Sequence, residues 1–191
     1  MKFRLTYRGR LQARNSSSVE DKQELRRHFH QQLAVLWKQP PLNEFHEMLD
    51  INKLGKPNEI CLIKNVGPFQ FAPIVTSVFG WNAIAELEIL FLRPSPPGAL
   101  LRHGGDLDNR IKTLMDCLRV PAAVNEFPAN DQPRPDEAPF FTLLEDDALV
   151  TAFSVVSDRL LTPGVKENDV ELVIYVKVGT TRQSLANSIL G

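Results

Sequence analysis

Asp106-Leu107-Asp108-Asn109-Arg110-Ile111-Lys112-Thr113-Leu114-Met115-Asp116-Cys117-Leu118 combines a helix pattern with a set of charges that the helix does not need. Ile111, Leu114, Met115 and Leu118 recur at the i, i+3, i+4, i+7 spacing of an amphipathic helix. Asp106 or Asp108 stands at its N-terminus, where aligned peptide dipoles favour a negative charge by about 0.3–1 kcal/mol. Capping requires one aspartate, so the second, together with Asn109, exceeds that need. Lys112 lies one turn after Asp108. That spacing suits a surface ion pair of about 0.3–0.5 kcal/mol, and also an ammonium placed to neutralise a phosphate. Asp116, one turn further, is a candidate tether for Lys112. An EF-hand is excluded, because the sixth place of the loop counted from Asp106 lacks glycine and Cys117 stands where the twelfth-place glutamate belongs.

Upstream, Ala85, Leu87, Ile89 and Phe91 alternate with Ile84, Glu86, Glu88 and Leu90, which predicts a strand over Ala83–Leu92. Arg93-Pro94-Ser95-Pro96-Pro97-Gly98 closes it, and the following loop ends at Gly104-Gly105. Downstream, Pro121 stops the helix. The segment 120–139 carries Pro128, Pro133, Pro135 and Pro139 without periodicity and reads as a long mobile insertion. The apolar run Phe140–Leu144 then leads into Glu145-Asp146-Asp147. Strands are predicted over Leu149–Val156 and Val170–Val178, followed by a loose tail of about ten residues.

The N-terminal part opens on a strand in which Phe3, Leu5 and Tyr7 alternate with Lys2, Arg4 and Thr6. Arg8, Arg10 and Arg14 follow, and a solvated loop outweighs a phosphate contact there. Ser17 with Glu20 resembles a capping box, and Leu25, Phe29, Leu33 and Leu36 predict a helix from Val19 to Trp37. Lys22, Arg26, Arg27, His28 and His30 lie on its other faces, where a DNA-facing role competes with ordinary solvation. Pro40-Pro41 ends it, and a short helix over Asn43–Leu49 follows with Phe45, Met48 and Leu49 inward. His46 has no partner that would make it a ligand. Ile60–Ile63 is predicted as a strand, and Phe69–Val75 as another that Pro73 breaks or confines to an edge.

The chain has 191 residues, a formal net charge of −1 and 43% hydrophobic residues, an ordinary composition for one globular domain with its own core. A near-neutral charge argues against a surface that is basic throughout. Cys61 and Cys117 lack zinc or disulfide spacing, and thiols of a cytoplasmic protein are the simplest reading. The first residues lack a signal-peptide core and no run is long enough to span a membrane. Strands interleaved with helices make the chain α/β or α+β, with one mixed sheet and helices packed on it.

If Asp146 and Asp147 fold back beside Asp106 and Asp108, four carboxylates repel one another unless a cation intervenes. Oxygen ligands of this kind suit a hard divalent ion, magnesium before manganese, which keeps waters for phosphate oxygens. The order of elements sharpens this. A strand, a loop, the Asp106-Leu107-Asp108-Asn109 helix start, Lys112, Asp116, and then Asp146-Asp147 before a strand resembles the RusA family of Holliday junction resolvases. The resemblance covers about Glu86 to Val178. It divides the chain into a single domain with an N-terminal elaboration (1–82), a catalytic core (83–178) and the insertion 120–139.

It implies a RusA-like fold and a magnesium-dependent endodeoxyribonuclease acting as a homodimer on branched DNA in recombination and repair. By the same resemblance Asp106, Asp108 and Asp147 are catalytic metal ligands, Asp146 an auxiliary acid and Lys112 the catalytic lysine. Here the link between the helix and the acid pair is longer than in that family, and Gly105 replaces a basic residue. Two alternatives stay open. One is an inactive module that binds nucleic acid or protein. The other is a metal-dependent enzyme on a small phosphorylated substrate, for which there is no glycine-rich phosphate loop.

Overall fold

A computed structural model of the chain describes residues 1–13, 15–95, 106–182, 184 and 187, and it includes the backbone but not the side chain of Asp106. Arg14, the whole of the expected loop over 96–105 and most of the expected loose tail lie outside the described residues. The fold is α+β. The single sheet expected from the sequence is two: a four-stranded sheet and a three-stranded one.

The larger sheet is built from β1 (Lys2–Arg10), β4 (Ala83–Arg93), β6 (Val150–Arg159) and β7 (Asp169–Thr180), in the order β1-β7-β4-β6. β7 runs antiparallel to both β1 and β4, whereas β4 and β6 are parallel. A parallel pair needs a crossover, and here the crossover contains helix α2 (Asp106–Leu118), the segment 119–139 and β5 (Phe140–Leu144). The smaller sheet pairs β2 (Lys64–Val66) antiparallel with β3 (Phe69–Val75), and β3 parallel with β5.

Alternation decides which face of the large sheet is covered. Ala85, Leu87, Ile89 and Phe91 of β4 and Leu172, Ile174 and Val176 of β7 point to one side, and all are buried with Ile111, Leu114 and Leu118 of α2. Helix α1 (Val19–Leu36) contributes Leu25, Phe29 and Leu33 to the same core and packs against α2, β1 and β5. Its capping box is one residue later than the Ser17/Glu20 reading. Ser18 Oγ accepts from the Asp21 amide at 3.1 Å, and Asp21 Oδ2 accepts from the Ser18 amide at 3.3 Å. Ser18→Ala is therefore expected to destabilise the protein by about 1 kcal/mol and Ser17→Ala by only a few tenths, as read from denaturant midpoints.

Two further expectations are corrected. Ile60–Ile63 is not a strand. The Leu62 amide donates to the Met48 carbonyl at 2.9 Å, so the apolar run is pinned to the 3₁₀ helix Leu42–Leu49 instead of joining a ladder. Pro73 does not break β3, which stays paired with β5 through Pro73 opposite Thr142.

The largest correction concerns the segment 120–139. It has almost no regular structure, yet it is docked on the basic face of α1. Arg26 donates to the Glu126 carbonyl at 2.9 Å, and Arg27 reaches Glu137 at 2.8 Å and Asp131 at 2.7 Å. The His30 ring meets the Asp136 carbonyl at 3.2 Å and accepts from the Phe141 amide at 2.8 Å. Phe127 packs edge-on to Phe69 in a second apolar cluster with Phe71, Val120 and Phe140. Arg26, Arg27 and His30 are buried, so the expectation of a DNA-facing row on this helix does not hold for them. They bind an internal strap.

Candidate functional site

Helix α2 is placed by its own side chains. Ile111, Leu114 and Leu118 seat it on the sheet, and Arg110 donates to the Leu11 carbonyl and to Asn168 Oδ1, both at 2.9 Å. At its far end the Val120 amide donates to the Leu144 carbonyl at 2.9 Å. The segment that leaves β5 is thereby held against the C-terminal half of the helix.

Glu145 is the first residue of the acidic run, and it is structural. Its carboxylate accepts from the Thr76 hydroxyl and, at 3.0 Å, from the Ser77 amide, while Lys64 Nζ lies 2.8 Å from Oε1. Burial alone pushes this carboxyl up, but Lys64, Thr76 and Ser77 outweigh it and hold it below its ordinary range. Because the folded value is depressed, the clamp contributes stability above the ordinary glutamate range, and that stability is lost as pH falls through the folded value. Unfolding free energy measured across the acid range should fall less steeply in Glu145→Gln than in the wild type.

Asp146 and Asp147 come next, and both are exposed. Asp146 caps the 3₁₀ turn Asp147–Leu149, its Oδ1 accepting from the Ala148 amide at 2.8 Å. The Asp147 carbonyl accepts from the Val150 amide, while its carboxylate has no hydrogen bond or ion pair with any described residue. Both line an open cleft of about 730 Å³ whose other wall is α2, from Ile111 and Lys112 through Met115, Asp116 and Arg119.

The two halves of the motif therefore meet at Lys112 and along the C-terminal half of α2. Asp108 lies one turn before Lys112, roughly 6 Å along the helix axis, and does not line the cleft. It holds Lys112 Nζ at 2.6 Å in an exposed pair. Asp116, the candidate tether for Lys112, instead accepts from Lys22 at 2.9 Å and faces Arg119 at 3.4 Å. Arg119 is in turn bound to Glu126 of the strap at 3.1 Å. The side chain of Asp106 lies outside the described residues.

Among the described residues no group of three or more His, Cys, Asp and Glu stands ready to hold a metal ion. Asp146 and Asp147 still fit magnesium, which is commonly bound through one or two carboxylates and keeps its waters until phosphate oxygens replace them. His46 is exposed on its 3₁₀ helix.

The sequence reading missed the apolar part of the cleft, formed by Ile111, Met115, Val150 and Phe153. The alternation over Leu149–Val156 marks Phe153 as a strand residue. It does not reveal that β6 ends the sheet. Among the described residues no helix is long and apolar enough to cross a membrane. The chain matches no known protein family, no curated protein and no solved structure.

Proposed function

We propose that the chain is a magnesium-dependent, structure-selective endodeoxyribonuclease that hydrolyses phosphodiesters in branched DNA, in the manner of the RusA family its motif order resembles. The observation that carries this reading is that Lys112 and the Asp146-Asp147 pair, more than thirty residues apart in sequence, line one open cleft. Helix capping gives no reason for that juxtaposition.

Asp147 and Asp146 would hold the cation on one wall, with Asp106 as a further acid the family resemblance assigns; Asp108, which the resemblance also assigns, stands one turn away and pairs with Lys112. The ion, when bound, supplies a water of lowered pKa and charge opposite the leaving oxygen. Lys112 supplies the fixed positive charge. Its pair with Asp108 is half-exposed, and exposed pairs contribute only about 0–1 kcal/mol, so exchanging Asp108 for a phosphate oxygen costs little. Asp108 then orients the ammonium until substrate arrives. Action as a homodimer follows from the resemblance and from the two symmetric incisions that a four-way junction requires.

The pairing of Asp108 with Lys112, together with the lack of a three-ligand group among the described residues, favours a second reading: a nucleic-acid-binding module without activity. Incubation with magnesium and a panel of four-way junctions, flaps and plain duplex separates the two. A nuclease cuts branched DNA in preference to duplex. A module binds it with steep salt dependence and leaves it intact.

A further inference from the structure

The apolar wall of the cleft has no part in the chemistry described above. Phe153 pairs in register with Leu87 of β4, so it lies on the helix-bearing face of the sheet. Leu87, one strand inward, is fully buried, whereas β6 is the last strand and Phe153 remains 46% exposed. With Met115, Ile111 and Val150 it forms an apolar surface inside a cleft that also presents an ammonium and two exposed carboxylates. Apolar and aromatic side chains set beside a few convergent polar groups in a concave site are the usual lining of a ligand site.

We infer that this wall is a subsite for an unpaired nucleobase, which stacks on Phe153 and packs against Met115 while its phosphate reaches Lys112. The inference rests on the nuclease reading for the identity of the polymer, and it adds the source of structure selectivity. A nucleotide joins a flat apolar ring to an anion, and the cleft joins a flat apolar wall to a cation. Its volume of about 730 Å³ lies within the range of sites that enclose small molecules. Continuous duplex DNA offers phosphates and groove edges, with its bases stacked on one another, so it has nothing to place on this wall. A base already unstacked at a branch point, gap or flap pays no such opening cost. Stacking on an aromatic side chain also tolerates any base, so the subsite selects structure over sequence.

The test uses the full chain, with calcium in place of magnesium to prevent cleavage, and DNA flaps carrying the fluorescent base 2-aminopurine at the first unpaired position. Phe153→Ala is expected to weaken binding of the flap about tenfold, the loss of one base–aromatic stack, and to leave binding of plain duplex unchanged. Phe153→Trp should restore both affinity and quenching of the 2-aminopurine signal. Thermal unfolding serves as a control for the fold.

Equal flap affinity in wild type and Phe153→Ala overturns the inference, as does a wild type that binds no flap. A change in sedimenting mass without a change in flap affinity also overturns it, and reassigns Phe153 to a protein contact. The two proposals fail separately. Flap binding that depends on Phe153, in a protein that never cuts with magnesium, sinks the nuclease and keeps the subsite. Cleavage of branched DNA that is indifferent to Phe153 does the reverse.

Discussion

Arg27→Ala is expected to lower the free energy of unfolding by about 3–5 kcal/mol, the largest effect on stability of any polar substitution considered. The guanidinium serves three carboxylates at once: Glu137 through Nε at 2.8 Å, Asp131 at 2.7 Å and Glu24 at 3.0 Å. Burial works against its charge, yet these partners outweigh that and raise its pKa. Glu137 is only 2% exposed. Removing Arg27 leaves it with the Arg134 amide at 2.9 Å and Arg134 Nε at 3.9 Å, too little to compensate a buried carboxylate. Most of the expected loss is therefore the penalty on Glu137, and the double variant Arg27→Met with Glu137→Leu should recover a large part of it. Denaturant unfolding checks the magnitude. Limited proteolysis checks the location, since cleavage within 120–139 should accelerate in the single variant before the rest of the chain becomes accessible.

Asp147→Asn is expected to reduce magnesium-dependent cleavage of branched DNA by about a thousandfold, the scale of losing one electrostatic group aimed at the reacting centre. The same change should shift stability by no more than about 0.5 kcal/mol, because the Asp147 carboxylate is exposed and bonds to no described residue. One acidic network holds the strap to the fold, whereas in the other acid pair Asp146 caps a single 3₁₀ turn and the Asp147 carboxylate bonds to no described residue. A carboxylate that does no structural work beside Lys112 and an open cleft is where a functional role is expected.

Several elements were legible because their periodicity is strong. β1, β4, β7, α1 and α2 each carry a clean alternation or a 3.6-residue repeat, and each forms close to the range that pattern predicts. The α+β class follows from their order. The division into two sheets was not legible, since it is set by pairings between segments far apart in sequence, β3 with β5 and β4 with β6; nor was the coil at Ile60–Ile63, an apolar run with the composition of a strand that bonds to the Met48 carbonyl. The docking of 120–139 was hidden for a similar reason. Arg26, Arg27 and His30 look like a solvated basic face until Glu126, Asp131, Asp136 and Glu137, about a hundred residues later, arrive to meet them.

For the site, local spacing was enough for the Asp108–Lys112 pair, which forms as an i, i+4 contact. That Lys112 shares a cleft with Asp146 and Asp147 depends on the Val120–Leu144 hydrogen bond and the Glu145 clamp, neither of which leaves a local signature. The exposed aromatic wall depends on β6 being the last strand, a property of topology alone.

The most direct test of the proposed activity is cleavage of a four-way junction, a flap and a linear duplex of the same sequence by the full chain in magnesium, with Asp147→Asn run beside the wild type. The expected result is cutting of the branched substrates by the wild type, none without the metal, and loss of cutting in a variant that still binds the junction. Wild-type rates in Asp147→Asn, or a wild type that leaves every branched substrate intact while binding it, would contradict the assignment.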